Sequence, residues 1–529
     1  MARVTARASP ERKDALIAIG VLGLLVTMVG VGFLLPRLDV VTLSGIALGI
    51  VGLCAGLASP SLLLRMLLLG ASVERFVAIQ TPFGRFDAPR LITIGLVIVL
   101  LVRTFILREP IVGPPRSVTR ALYLLLTVWV LSSAVSVLAE PGTTINVFID
   151  DTTFAAARYS PFLKSYTEIV ALGLPILTPI FMLTMIRTLP GLRSAARFWI
   201  VGAIAVSLLG VYTTIAYYAP LLPIHEELAN TGYDVGGVFI ISRIRSWMSE
   251  PRHLTVYLGT ILPFLLATSA TWSFVLPRPM HISATILVAS VFLLTMAKSS
   301  LVLLPVIISV LIIAIAITEP KNRGRAVVKY TVIITLTIAM LITFAAALFM
   351  WFGEYSSNDA VDVLLLQVFA LFDDSNISTG VQSATMVAAF NMFLQFPITG
   401  VGIGNWVFFA TTSILPTWWR GIWGVEWLPI AIPSLYFQTL AETGLVGAAA
   451  IVILLATIFR IAIVNVLSHP SMIARYWTAG LLTSLVTILG SSVFTLRFYK
   501  HEAWIVVGFI LLIDRWRTEN WQETPDTRG

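Results

Sequence analysis

The sequence predicts an all-α fold, a polytopic transmembrane helical bundle of about 12–14 spans with a large extracytoplasmic loop. Three observations carry that expectation. Over 529 residues the chain is 57% hydrophobic and only 12% charged, whereas soluble chains carry about 25% charged residues. Apolar stretches of the length a bilayer core demands, about 20 residues, recur from end to end. Basic residues gather in alternate loops, as the positive-inside tendency requires.

The composition also narrows the function classes. The 35 Lys+Arg against 27 Asp+Glu leave a net charge of +8. In a soluble chain that balance would suggest nucleic acid; in a membrane chain it reflects basic cytoplasmic loops, and no nucleic-acid partner is expected. The single cysteine, Cys54, lies in an apolar run, so no intrachain disulfide staples a loop. Residues 1–14 carry Arg3, Arg7, Arg12 and Lys13 ahead of the apolar run 15–35. That run is too long for a signal-peptide core and reads as an uncleaved first span.

Further spans are expected near 40–58, 61–80, 91–107, 121–139, 166–186 and 198–219, then 253–271, 282–297, 299–317 and 330–352, and last 434–460, 476–494 and 499–514. The weakest, 61–80, holds Arg65, Glu74 and Arg75. Counting it as a crossing, with Arg65 snorkelling to the inner face, leaves loops 103–120, 187–197 and 318–330 inside with +3 each and puts 353–430 outside with −5. The chain then has both termini cytoplasmic in a plasma membrane. Residues 1–160 form N-terminal spans and 161–529 a second region that includes the external loops 220–252 and 353–430. Within the longer loop 381–396 reads as an amphipathic helix, and Trp406, Phe408, Phe409, Trp418, Trp419, Trp423 and Trp427 read as an interfacial cap.

Phosphate-loop, dinucleotide and zinc-protease signatures are absent. The five histidines have no metal-ligand spacing, so neither a metal nor a cofactor is expected. The informative stretch is Ser242-Arg-Ile-Arg-Ser-Trp-Met-Ser-Glu-Pro-Arg-His253, just before an apolar span. External arginines run against the positive-inside tendency, and arginine forks bind phosphate bidentately. At a membrane the phosphate is that of a lipid, so Arg243, Arg245 and Arg252 are candidate diphosphate ligands beside Glu250 and His253. Lys298, in a turn dividing 282–317, reaches the same face.

These residues resemble the O-antigen ligase/polymerase superfamily of bacterial cell-envelope glycosyltransferases. Arg243, Ser246, Met248 and Pro251 match its Arg-x-x-(Gly/Ser)-x-(aromatic or aliphatic)-x-x-Pro segment. Thr295-Met-Ala-Lys-Ser299 is similar to its Thr-x-Ser-Arg-(Gly/Ser) turn, with Lys298 where Arg is usual. Pro397-Ile-Thr-Gly-Val-Gly-Ile-Gly-Asn405 resembles Pro-x-x-Gly-x-Gly-x-(Gly), and Leu440-Ala-Glu-Thr-Gly-Leu-Val-Gly447 resembles Leu-x-Glu-x-Gly-x-x-Gly. The resemblance covers roughly 160–515. Ligases of the family usually carry a histidine shortly before the Leu-x-Glu segment; here Pro433 or Ser434 stands in that place, which favours a polymerase.

The resemblance implies a metal-independent glycosyl transfer from a polyprenyl-diphosphate-linked glycan to a sugar hydroxyl of another lipid-linked unit, at the outer face of a bacterial plasma membrane. Membrane lipids, and polysaccharide export or chain-length proteins, are the further partners it implies. Arg243 is the expected diphosphate ligand, supported by Arg245 and Lys298, with Arg252 less central. Glu250, Glu442 and His253 are candidates to receive or orient the acceptor proton, and Asn405 and Tyr436 to meet the glycan. The alternatives are an O-antigen ligase and, from another class, an oligosaccharide-lipid flippase. A flippase is expected to show repeat-related halves and mid-membrane charges.

Overall fold

The computed structural model describes residues 59–71, 79–81, 84–139, 145–148, 156–218, 231–235, 239–244, 246, 248, 251–269, 275–295, 298–318, 324, 328, 377–409, 432–493, 495–519 and 521. The expected spans 15–35, 40–58 and 330–352, and most of loop 353–430, lie outside these residues. In chain order the elements are α1 (Pro60–Gly70), β1 (Ile79–Thr81), β2 (Gly84–Phe86), α2 (Ala88–Phe105), α3 (Arg116–Ala139), β3 (Ile145–Phe148) and β4 (Ala156–Tyr159). Next come α4 (Pro161–Ile176), α5 (Thr178–Met185), α6 (Leu189–Tyr218), β5 (Thr231–Val235), β6 (Phe239–Arg243), α7 (Pro251–Thr268), α8 (Arg278–Leu294) and α9 (Lys298–Thr318). The last are α10 (Ile377–Gln395), α11 (Trp406–Phe409), α12 (Leu435–Ser468), α13 (Met472–Ser491), a 3₁₀ turn (Arg497–Tyr499) and α14 (His501–Glu519).

The fold is the expected all-α bundle. Among the described residues six helices are long and apolar enough to cross a membrane: Ala88–Phe105, Arg116–Val135, Pro161–Met185, Leu189–Ala216, Leu435–Ser468 and Met472–Ser491. The molecule is a multi-pass membrane protein. Hydroxyls inside these helices turn back onto their own backbone, as Thr478, Thr483, Ser484 and Thr487 do to the carbonyls four residues earlier. A span can therefore carry them without an unpaired group facing lipid.

Lipid supplies little hydrophobic drive between helices, so close packing holds the bundle together. Its centre is aromatic. Trp199 on α6 lies 5.5 Å from Phe264 on α7 and 5.4 Å from Phe509 on α14, and Phe264 meets Trp477 on α13 edge-on at 5.1 Å. Gly480 lets α13 approach α7: a methyl group there would stand 2.8 Å from Phe264 Cα and 3.0 Å from the Pro263 carbonyl.

Three departures from the sequence reading stand out. First, among the described residues the expected crossing 61–80 carries the 11-residue helix α1, which stops at Gly70, and Ile79–Thr81 is a strand. Eleven residues rise roughly 16 Å, about half of a bilayer core. Arg65 on α1 lies over the Phe198 ring at 5.3 Å. Second, the six short strands form three antiparallel hairpins, each just ahead of a helix start: α2, α4 and α7. Third, α10 occupies the expected amphipathic segment but presents apolar side chains outward. Val387, Phe390 and Leu394 are exposed while Ala388, Ala389 and Met392 pack inward. That outward face suits lipid rather than water.

Cross-links between helix ends show that the hairpins share one end of the bundle. Lys500, at the start of α14, lies 3.8 Å from Asp87 at the start of α2. The Leu435 N–H at the start of α12 donates to the Ser492 carbonyl at the end of α13 (2.9 Å). Ser246, after β6, donates to the Val206 carbonyl of α6 (2.9 Å). We call this the hairpin end. The opposite end carries Arg197, bonded to the Val275 carbonyl (2.5 Å), and Arg517, bonded to Asn465 Oδ1 (3.0 Å).

Two predictions follow from this packing. Gly480→Leu should force α13 off α7 and destabilise the detergent-solubilised protein by about 1–3 kcal/mol, read as a lower melting temperature. His469, in the turn between α12 and α13, is buried with its ring 5.0 Å from Trp516. Burial first, and then Arg517 and Arg475, push its imidazole down to about 4. The unfolded chain takes up that proton near pH 6.5, so the stability His469 contributes is present above pH 6.5 and is lost as pH falls towards 4. Melting should drop from pH 7.5 to pH 5, and His469→Gln should shrink the difference.

Candidate functional site

Helix α12 is broken at Gly444, whose φ of 61° and ψ of −159° lie outside the helical region. A break inside an apolar span frees amides and carbonyls that lipid cannot satisfy. The segment 397–405 supplies the partners. Val401 N–H donates to the Ala441 carbonyl (3.0 Å) and Gly402 N–H to the Glu442 carbonyl (2.8 Å). In return the Leu445 and Val446 amides donate to the carbonyls of Pro397 (2.9 Å) and Ile398 (3.3 Å). Gly400, at φ 63°, sits where any side chain would run into the Glu442–Thr443 backbone, and a side chain at Gly444 would strike the Ile398 carbonyl. Two of the motifs read from the sequence are thus halves of one junction.

Neighbouring helices lock the junction with small hydroxyls. The Ser132 hydroxyl of α3 bridges the Thr399 and Glu442 carbonyls, 2.6 and 2.7 Å away. Ser133 accepts from the Ile403 amide (3.3 Å). On α4, Ser165 donates to the Ile403 carbonyl (3.0 Å) and accepts from Asn405 Nδ2 (2.8 Å).

A charged cluster surrounds the junction. Glu442 is 1% exposed, and its Oε2 accepts from Gln438 Nε2 at 3.1 Å. The Gly404 amide, Glu168, Lys164 and the Tyr499 hydroxyl all lie within electrostatic reach of it. Lys164 pairs with Glu168 at 2.5 Å, one turn apart on α4. Gly404 has no side chain because Glu168 occupies that space: a methyl group would stand 2.5 Å from Glu168 Cγ. Asp87 caps α2 by accepting from the Arg90 amide (3.1 Å) and faces Lys500. Of this cluster only Glu442 was singled out from the sequence. Lys164, Glu168, Arg90, Lys500 and Gln438 were missed. The available signal was an i,i+4 ion pair opening an apolar span.

The arginine segment lies at the same end. Arg243 closes β6 opposite Thr231; its side chain, and the whole of Arg245 and Glu250, lie outside the described residues. Ile244, Ser246 and Met248 are buried, and Ser246 takes a φ of 53°. A positive φ at a non-glycine residue costs conformational energy and is held by its surroundings. Arg252 and His253 occupy the first turn of α7, both half-buried. The Thr255 and Thr295 hydroxyls meet at 2.6 Å, bringing the turn before Lys298 against the start of α7. The structure therefore brings Asn405 and Glu442 together in one network, and sets the first turn of α7, which carries Arg252 and His253, beside Thr295. The Tyr436 hydroxyl donates to the Leu489 carbonyl (2.8 Å), fastening α12 to α13. Among the described residues no three His, Cys, Asp or Glu side chains group as metal ligands.

Fold and site together define a multi-pass membrane protein with a polar, charged junction at one end of an apolar bundle. Residues 283–452 match the family model described as O-antigen ligase, Wzy_C, which supports the O-antigen ligase/polymerase superfamily for this part of the chain. The matched stretch includes Lys298, Asn405, Tyr436 and Glu442, and begins after Arg243, Arg245, Glu250, Arg252 and His253. No curated protein matches the chain.

The junction predicts a steep glycine requirement. Gly400→Ala should destabilise the protein by about 1–3 kcal/mol through backbone strain and overlap. Gly113→Ala, where an added methyl meets nothing within 4 Å, should leave the melting temperature nearly unchanged.

Proposed function

We propose that the protein is a polysaccharide polymerase of the cell envelope. It transfers a glycan from polyprenyl diphosphate to a sugar hydroxyl of a second lipid-linked unit, without a metal ion. The observation that carries this reading is the O-antigen ligase match over residues 283–452. Supporting it, the described parts of the family motifs on either side of that stretch's start lie at the hairpin end of the bundle. The opposite end holds Arg103, Arg108, Arg116, Arg120, Arg187, Arg193 and Arg197. By the positive-inside rule that end is cytoplasmic, so the hairpin end faces outward from a bacterial plasma membrane.

In this reading Arg243, Arg245 and Lys298 bind the donor diphosphate. Cleavage of the anomeric bond puts charge on the leaving diphosphate, and fixed cations in a poorly hydrated site stabilise it strongly. Arg252 and His253, at the start of α7, stand next to that position; Glu250 pairs with the neighbouring arginines or orients the acceptor. The second reading, a ligase, is favoured by the description of the matched family. Against it stands the local sequence Ile432-Pro-Ser434, which has no histidine at the position ligases use.

The test is glycan length in host cells carrying Arg243→Ala or Arg243→Lys, with membrane levels verified. The polymerase reading expects long polymer to fall by about 10²-fold or more while single lipid-linked repeats accumulate. Normal polymer that is attached to no acceptor would restore the ligase. Unchanged polymer and attachment would overturn both.

A further inference from the structure

Ser434 is the N-cap of α12, and Gln438 and Glu442 follow it at intervals of four residues, so that Gln438 and Glu442 share one face of the helix with Ser434 at its head. All three are buried, with 0%, 7% and 1% of their surface exposed. Yet among the described residues Ser434 Oγ, Gln438 Oε1 and Glu442 Oε1 have no hydrogen-bond partner. Three such atoms in line at the head of an apolar span are costly, because burial removes water without supplying a replacement. Isolated orphans occur by chance of packing; a stripe with helical spacing, ending on a carboxylate beside the docked glycine segment, is a constructed surface. Across from it stand the Gly404 amide, the Lys164–Glu168 pair and the Tyr499 hydroxyl.

The chemistry of the stripe selects its ligand. A carboxylate oxygen and an amide oxygen only accept hydrogen bonds, and a hydroxyl does either. The face therefore calls for a neutral ligand rich in donors. It repels a diphosphate, which carries acceptors and negative charge, and it offers nothing to a lipid tail. Sugar hydroxyls fit. We propose that this face of α12 is the acceptor subsite, which receives the terminal sugar of the growing or incoming glycan, with Glu442 Oε1 on the attacking hydroxyl. This rests on the glycosyl-transfer reading above and adds to it a place for the acceptor.

In that step the acceptor oxygen bonds to the anomeric carbon of the donor sugar. The bond from that carbon to the diphosphate oxygen breaks, and its electron pair leaves with the diphosphate. The hydroxyl proton passes to Glu442 and returns to water after product departs. Gln438 holds the other carboxylate oxygen, Oε2, and so keeps Oε1 turned to the acceptor.

Two measurements test this. In a Cys54→Ser background, Ser434→Cys and Gln438→Cys are treated with a small water-soluble methanethiosulfonate in membrane fragments open on both sides, with Ala479→Cys as the packed control. The stripe should react at least tenfold faster than the control. It should be protected by polar lipid extract from host cells expressing the Arg243→Ala variant. Reaction without protection means that only water enters, and no reaction means that the face is closed; either result overturns the proposal. In the second measurement, Glu442→Gln, which keeps the side chain's shape, should cut polymer at least a hundredfold at unchanged membrane level and melting temperature. Polymer lost with Arg243→Ala but kept with Glu442→Gln overturns the acceptor subsite alone. Polymer unaffected by either change overturns the glycosyl-transfer reading itself.

Discussion

Much of the hairpin end depends on a single backbone problem, the break of α12 at Gly444. A transmembrane helix satisfies its own amides and carbonyls only while it stays helical. At Gly444 the freed groups need fixed partners, and residues 397–405 are bent through successive glycines to deliver them. Once that segment is docked, Asn405, Gly404 and the buried face of α12 have set positions. The serines of α3 and α4 then bond to its carbonyls and amides rather than to their own helices. The polar site and the broken span are one construction.

The same constraint explains how a carboxylate comes to be buried in this place. Glu442 sits about two turns inside an apolar helix, where an isolated charge is costly. Its immediate surroundings offset part of that cost: Gln438 Nε2 on one oxygen, with Lys164 and the Gly404 amide in reach. The Lys164–Glu168 pair is itself fitted against Gly404. A larger residue at position 404 would displace the pair and with it Lys164, a cation within electrostatic reach of Glu442. The glycines thus act at a distance from the chemistry they enable, by deciding which charges can stand next to one another.

How much of this was legible in the sequence follows from what each signal reports. Apolar length and loop charge report membrane crossing, and α2, α3, α4, α6, α12 and α13 appear where those signals place them. The Pro397–Asn405 and Leu440–Gly447 motifs were legible as glycine patterns, though not as partners, because contact between positions some forty residues apart leaves no periodicity. Ser132 and Lys500 were invisible for the same reason: each is ordinary in its own helix and acquires meaning from helices far along the chain. The third hairpin had a local cue, Gly236-Gly237 between two β-rich runs, which the helical composition overshadowed. Helix α1 was overread because hydropathy counts apolar residues without asking where the helix stops.

The distribution of charge at the hairpin end bears on how a transferase would keep two similar substrates apart. Donor and acceptor in polymerisation are both glycans on lipid diphosphates, so neither headgroup alone tells them apart. What separates them is which part of each molecule must be gripped: the diphosphate of one and a hydroxyl of the other. The arginine segment before α7 offers cations, and the face of α12 beside Glu442 offers acceptors without a free positive charge of its own. Helix α13 runs between them, packed on α7 and tied to the start of α12. A glycan placed with its diphosphate on the acceptor face would meet like charge, and one placed with its hydroxyls among arginines would leave those cations without an anion. In the proposed transfer, opposite electrostatic demands at the heads of α7 and α12 would order the two substrates without any recognition of the sugar itself.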